Sequence, residues 1–129
     1  MVIDTSALLV LLLDEPEAED FRTALELDET RLLSAATLLE AAVVIEARKG
    51  EAAGRELDRL IDKAAISVVP VDADQVDEAR RAWRRFGRGR HEAALNYGDL
   101  FAYALSRTSG EALLFKGDDF RRTDVARVI

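Results

Sequence analysis

The chain is predicted to form an α/β domain with a mainly parallel sheet. Short apolar runs of strand character alternate with helical stretches from one end to the other, the pattern of strands joined by crossover helices. Its 129 residues, 49 % of them hydrophobic, suffice for one core with helices on both sides of a sheet. No internal repeat, low-complexity tract or linker divides residues 1–129, which are read as one domain.

Met1-Val-Ile-Asp4 reads as a short buried strand ending in an acid, with Thr5 or Ser6 capping the helix that follows. Pro16 breaks that helix and suits the start of a second, which carries Ala18, Phe21 and Leu25 at helical spacing. Arg31 to Ser34 is a weak strand. Ser34 or Thr37 then opens a long helix to about Arg48, ended by Gly50. A further helix runs from Glu51 to Ala65, with Leu57, Leu60 and Ile61 inward. Ile66 to Val71 is β-branched and bounded by Asp72, hence a strand. The next helix shows a stripe of Val76, Ala79, Trp83 and Phe86 that should face the core, and Gly87 to Arg90 forms a loop after it. Asp99 begins another helix, with Leu100, Phe101, Ala104 and Leu105 as its buried face. Ala112 to Phe115 is a buried strand, Lys116 to Asp119 a turn, and Val125 to Ile129 a last edge strand.

Composition narrows the function classes. The chain has no cysteine, which excludes disulfides and thiolate metal sites. The apolar run Ala7 to Leu13 is too short to span a bilayer and lacks the basic lead-in of a secretory signal, so a soluble, cytoplasmic protein is expected. Net charge is −7, but it is unevenly spread. Eight acids and one base lie between Asp14 and Glu29, whereas six arginines and no acid lie between Arg80 and His91. An acidic chain can still present one basic lip to a nucleic-acid backbone.

Asp4, Glu40, Asp99 and Asp118 are four acids without an ordinary structural role. In open α/β sheets, sites gather at the carboxyl ends of the strands, where Asp4 and Asp118 should sit. Asn96-Tyr-Gly98 is read as a turn that aims Asp99 at the same edge. Glu40 lies inside a helix with no base within helical reach, unlike Glu46, which has Lys49 three residues on. Clustered carboxylates repel one another, and a cation makes the cluster tolerable. All-oxygen ligands suit Mg²⁺ or Mn²⁺. Each acid also has a plainer reading: Asp4 as a cap, Asp99 as a first-turn acid, Asp118 with Asp119 as a turn, Glu40 as the margin of an apolar stripe. Arg80, Arg81, Arg84 and Arg85 could likewise be a solvated helix face, but continuation into the loop at Arg88 and Arg90 favours phosphate contact. His91, the only histidine, could assist catalysis or serve a surface or capping role.

These residues carry a resemblance to the PIN-domain ribonucleases, and within them to the VapC toxins of bacterial toxin–antitoxin pairs. The matching pieces are Val2-Ile-Asp-Thr-Ser-Ala7, Thr37-Leu-Leu-Glu-Ala41, Asn96-Tyr-Gly-Asp99 and Leu113-Leu-Phe-Lys-Gly-Asp-Asp-Phe120, with Thr123-Asp124 after it. They occur in the family's order and span nearly the whole chain. The resemblance implies a three-layer α/β/α fold and a Mg²⁺- or Mn²⁺-dependent endoribonuclease. It implies Asp4 and Asp99 as principal metal ligands, Glu40 and Asp118 completing the pocket, and Asp119 as the rival of Asp118. It further implies Thr5 or Ser6 orienting Asp4 or a water, Asn96 as a polar pocket residue, a homodimer, and a VapB-like antitoxin whose C-terminal segment can reach the acidic site. A basic peptide would suit the acidic first third.

Other classes fit less well. A receiver domain needs an acidic pair after its first strand, and a haloacid-dehalogenase-like phosphatase needs Asp-x-Asp there, but this chain has Asp4-Thr5-Ser6. A catalytically silent PIN-like binding module would have no need of all four acids.

Overall fold

A computed structural model describes all of residues 1–129. In chain order it has β1 (Val2–Ile3), α1 (Thr5–Leu12), α2 (Ala18–Leu27), β2 (Leu32–Ser34), α3 (Ala35–Lys49) and α4 (Glu51–Lys63). There follow β3 (Ser67–Val69), α5 (Ala73–Phe86), α6 (Tyr97–Ser109) and β4 (Leu113–Leu114). The four strands are all parallel, in the order β3-β2-β1-β4, with Val2 beside both Leu32 and Leu113.

Two apolar clusters flank this sheet. Met1, Ile3, Leu33 and Leu114 face α1 to α4, where Leu8, Phe21, Ile45 and Leu57 close the first core. Val2 and Leu113 face the other way, toward Phe86, Leu95, Tyr103 and Phe120. Alternate strand residues therefore feed opposite cores, the arrangement of a three-layer α/β/α fold. Each such side chain contributes about 1.5–3 kcal/mol by leaving water.

Local chemistry sets the helix ends. Ser34 caps α3 through its hydroxyl, which accepts the Ala36 N–H, and Gly50 ends the helix with φ 84°. Asp4 itself caps α1 by accepting the Ser6 N–H, in place of Thr5 or Ser6. Residues 126–128 run beside β4 through hydrogen bonds to Leu113, but only a single parallel bridge forms, at Arg127, so the expected last strand is reduced to that.

The expected inward stripe of α5 needs correction. Gln75, Ala82 and Phe86 point into the core, while Val76 and Trp83 are exposed. They border a groove of about 390 Å³ between α5 and α6, into which Phe101 also faces instead of being fully buried. Helical periodicity identified residues that share a side, and that side is open. Glu46 is not paired with Lys49 either. Its carboxylate lies against Gly54 of α4, where a Cβ would overlap it.

Candidate active site

The site forms where the ends of β1 and β4 meet the first turns of α3 and α6. Asp4 directly follows β1, and its backbone N–H donates to the Leu114 carbonyl of β4 at 3.0 Å. Its Oδ2 accepts from Ser6 N at 3.0 Å and from Ser6 Oγ at 2.6 Å. Ser6 Oγ in turn accepts the Lys116 N–H at 2.9 Å, so one hydroxyl ties the loop after β4 to Asp4. Burial pushes the Asp4 carboxyl above its ordinary range and the nearby Glu40 adds to this, although the Ser6 hydrogen bonds pull it back.

Asp99 is held by a capping box. Asn96 Oδ1 accepts the Asp99 N–H and Asp99 Oδ2 accepts the Asn96 N–H, both at 3.0 Å. Asn96-Tyr-Gly98 is thus the cap and opening of α6, which starts at Tyr97 and not at Asp99. Asn96 acts on the pocket by fixing Asp99. Burial raises the Asp99 carboxyl to about 7 against the hydrogen bond from Asn96, and the charges of Asp4, Asp119 and Glu40 raise it further.

Glu40 is brought in from α3. Thr5 Oγ1 donates a hydrogen bond to its Oε1, and its other oxygen lies over Gly98, where a Cβ would overlap it. Gly98 thereby acquires a role that sequence reading assigned only to a turn. The available signal was a glycine in the first turn of a helix, two positions after its cap, a place where close approach is the usual reason for that residue.

Asp118 and Asp119 part company. The Asp118 side chain is 85 % exposed and pairs with Arg121 at 3.2 Å. Asp119 is the one whose charge reaches Asp99. The weight of the fourth position moves from Asp118 to Asp119, because adjacent residues leaving a strand point to different sides. No three acids already stand at ligand spacing in this structure. Their chemistry nonetheless suits a hard cation: the donors are carboxylate oxygens, two of the acids are buried, and like charges raise both carboxyls.

The arginines divide. Arg81 pairs with Glu78 at 2.7 Å, and Arg85 pairs with Asp124 at 3.2 Å while lying over the Phe86 ring. Arg90 covers Trp83, 4.1 Å from the ring centre, and Arg80 lines the α5–α6 groove. Arg84 and Arg88 form no ion pair within the chain. Arg88 donates its backbone N–H to Leu95, one residue before the Asn96 cap, which sets it near the acids. His91 takes the capping role: Nδ1 accepts the Ala93 N–H at 3.0 Å, and its ring meets Phe86 edge-on.

The PIN-domain family model matches residues 1–126. Ribonuclease VapC30 of Mycobacterium tuberculosis is 59 % identical over 128 residues, covering 99 % of this chain and 98 % of that protein. Ribonuclease VapC of Mycolicibacterium smegmatis is 58 % identical over 128 residues, covering 99 % of each. Among solved structures, Mycobacterium tuberculosis VapC20, described as a sarcin-ricin loop cleaving toxin, superposes with a TM-score of 0.77 at 18 % identity, over 97 % of this chain and 95 % of that one. VapBC2 from Rickettsia felis, bound to a promoter DNA fragment, gives a TM-score of 0.79 at 15 % identity, over 98 % and 94 %. At those identities the two structures speak for the fold. Family match and near-full-length identity together place this chain in the PIN-domain family, among its VapC ribonucleases.

Proposed function

We propose that this protein is a VapC-type endoribonuclease toxin that hydrolyses RNA phosphodiester bonds at the acidic pocket, with residues 1–129 acting as one nuclease domain. The observation that carries this reading is the convergence of Asp4, Glu40 and Asp99 from three separate elements, in a chain 59 % identical to a ribonuclease. Asp4, Glu40 and Asp99, with Asp119 in preference to Asp118, would hold Mg²⁺, or Mn²⁺ in its place. Such a cation would offset the carboxylate repulsion, polarise the phosphate and lower the pKa of an attacking water.

The chain's own residues prepare that site. Ser6 orients Asp4, Thr5 orients Glu40, and Asn96 orients Asp99, each through a hydrogen bond that limits the rotation of a carboxylate. The loop arginines Arg88 and Arg90 are assigned to the RNA backbone. Arg80, Arg81, Arg84 and Arg85 extend from the same stretch along α5, but two of them are occupied by internal ion pairs.

A VapB-like antitoxin, homodimerisation and a cytoplasmic location belong to the same reading. Leu12, Leu13 and Ile45 line an apolar recess on the α1–α4 side, which supports an antitoxin segment docking there. No helix is long and apolar enough to cross a membrane.

The test is cleavage of an end-labelled RNA pool with Mg²⁺, with Mn²⁺ and with EDTA. Discrete products are expected with either ion and not with EDTA. Asp4→Asn and Asp99→Asn should abolish them with the fold retained, since charge is removed at nearly constant volume. Full activity in both variants sinks the site assignment. Folded protein that neither cleaves RNA nor binds metal would indicate a silent binding module.

A further inference from the structure

We infer that the exposed face at the β3 edge of the sheet docks a second copy of this chain, with the two α5 helices antiparallel. This rests on the homodimer reading above and names the surface that serves it.

Most of the large apolar side chains left in solvent gather on this one side. Leu39 and Val43 project from α3, Val68 from β3, Val76 and Trp83 from α5, and Tyr97 from the start of α6. Leu39 is 66 % exposed and Tyr97 78 %, on a chain whose other large apolar residues are mostly buried. Contiguous exposure of this kind marks a contact surface. Between α5 and α6 it deepens into the groove of about 390 Å³ walled by Trp83, Tyr97 and Phe101. Gln75 Oε1 lies buried in that wall without a hydrogen-bond donor, so the occupant has to bring one.

Charge selects the occupant. The exposed ridge of α5 carries Asp77 toward its start and Arg80 and Arg84 toward its end, and none of the three forms an ion pair within the chain. A two-fold axis across this ridge sets each Asp77 against the arginines of the other copy, while Val76 and Trp83 meet apolar counterparts. The same arginines supply N–H donors for the groove. RNA would meet Asp77 and an apolar wall there, and a basic peptide would meet the arginines. Joining the two sheets edge to edge is disfavoured, because Pro70 directly follows β3 and has no N–H to offer.

Sedimentation equilibrium of the full-length protein tests the assignment, with circular dichroism checking that each variant is folded. The wild type is expected to be a dimer. Trp83→Glu, Asp77→Arg and the double variant Arg80→Asp/Arg84→Asp should each weaken it by about tenfold or more in Kd, the least expected of an interface anchor. Mixing Asp77→Arg with Arg80→Asp/Arg84→Asp should restore association as a heterodimer, since the charges again oppose. A wild-type dimer that these substitutions leave intact overturns this interface and leaves the homodimer reading standing. Variants that dissociate but fail to pair when mixed overturn the antiparallel arrangement. A wild-type monomer at all concentrations overturns both readings.

Discussion

Asp99 shows how one side chain can serve both structure and chemistry. Its carboxylate closes the capping box of α6, and burial with three neighbouring acids raises it to about 7. In the unfolded chain it titrates near 3.8, so between those values the folded state retains a proton that the unfolded state has released. Stability from this group is therefore full at low pH and is lost as pH rises toward and through about 7. Asp4 shifts in the same direction. Asp28, paired with the Met1 ammonium, shifts downward, so its contribution is lost only as pH falls below the usual carboxylate range. In EDTA, the melting temperature should fall between pH 5 and pH 8, on the scale set by the Asp99 shift. Asp99→Asn should raise the pH 8 value and flatten the profile, because the amide oxygen can still accept from Asn96. Adding Mg²⁺ at pH 8 should raise the wild-type value and leave the variant nearly unmoved. A wild-type profile that rises from pH 5 to pH 8 would refute this account of Asp99.

At the level of elements, the site depends on α3 and α6 approaching across the end of the sheet. Gly98 permits that approach, since the Glu40 carboxylate occupies the space of a Cβ. Gly98→Ala should gain up to about 1 kcal/mol of helix propensity, because the glycine lies in the first turn of α6. Against this, Glu40 must swing away from Thr5. Melting should therefore change little, while Mn²⁺ affinity by titration calorimetry drops about tenfold or more, as for other losses of support behind a metal ligand. Unchanged affinity would mean that Glu40 acts from another position. Ser34 tests a purely structural element: Ser34→Ala removes the cap of α3 and should cost about 1 kcal/mol in urea unfolding.

Across the whole molecule, charge is partitioned by function. Glu15 and Glu17 of the acidic first third hold Lys116, on the loop that leaves β4 beside Asp4, while the arginines cluster beyond α5. A chain of net charge −7 can bind RNA only through such a local basic field. Arg88→Ala should weaken binding of unrelated single-stranded RNAs to a similar degree and reduce the salt dependence of log K by about one phosphate contact. An unchanged salt slope would move the RNA path away from the loop.

Much of this was legible in the sequence. The alternation of strands and helices, the Ser34 and Gly50 helix ends, and the strand–acid junctions at Asp4 and after β4 all follow from local stereochemistry and periodicity, which neighbouring residues determine alone. Glu40 was singled out because no base could reach it along its helix. What the sequence could not decide was which groups meet across elements. Asp118 and Asp119 are equivalent in composition, and only the path of the chain after β4 turns one toward Arg121 and the other toward Asp99. Trp83 and Val76 have the spacing of a core stripe, yet a stripe faces the interior only where another element covers it, and between α5 and α6 this chain leaves a groove. Periodicity records which residues share a side, whereas tertiary packing determines what stands opposite.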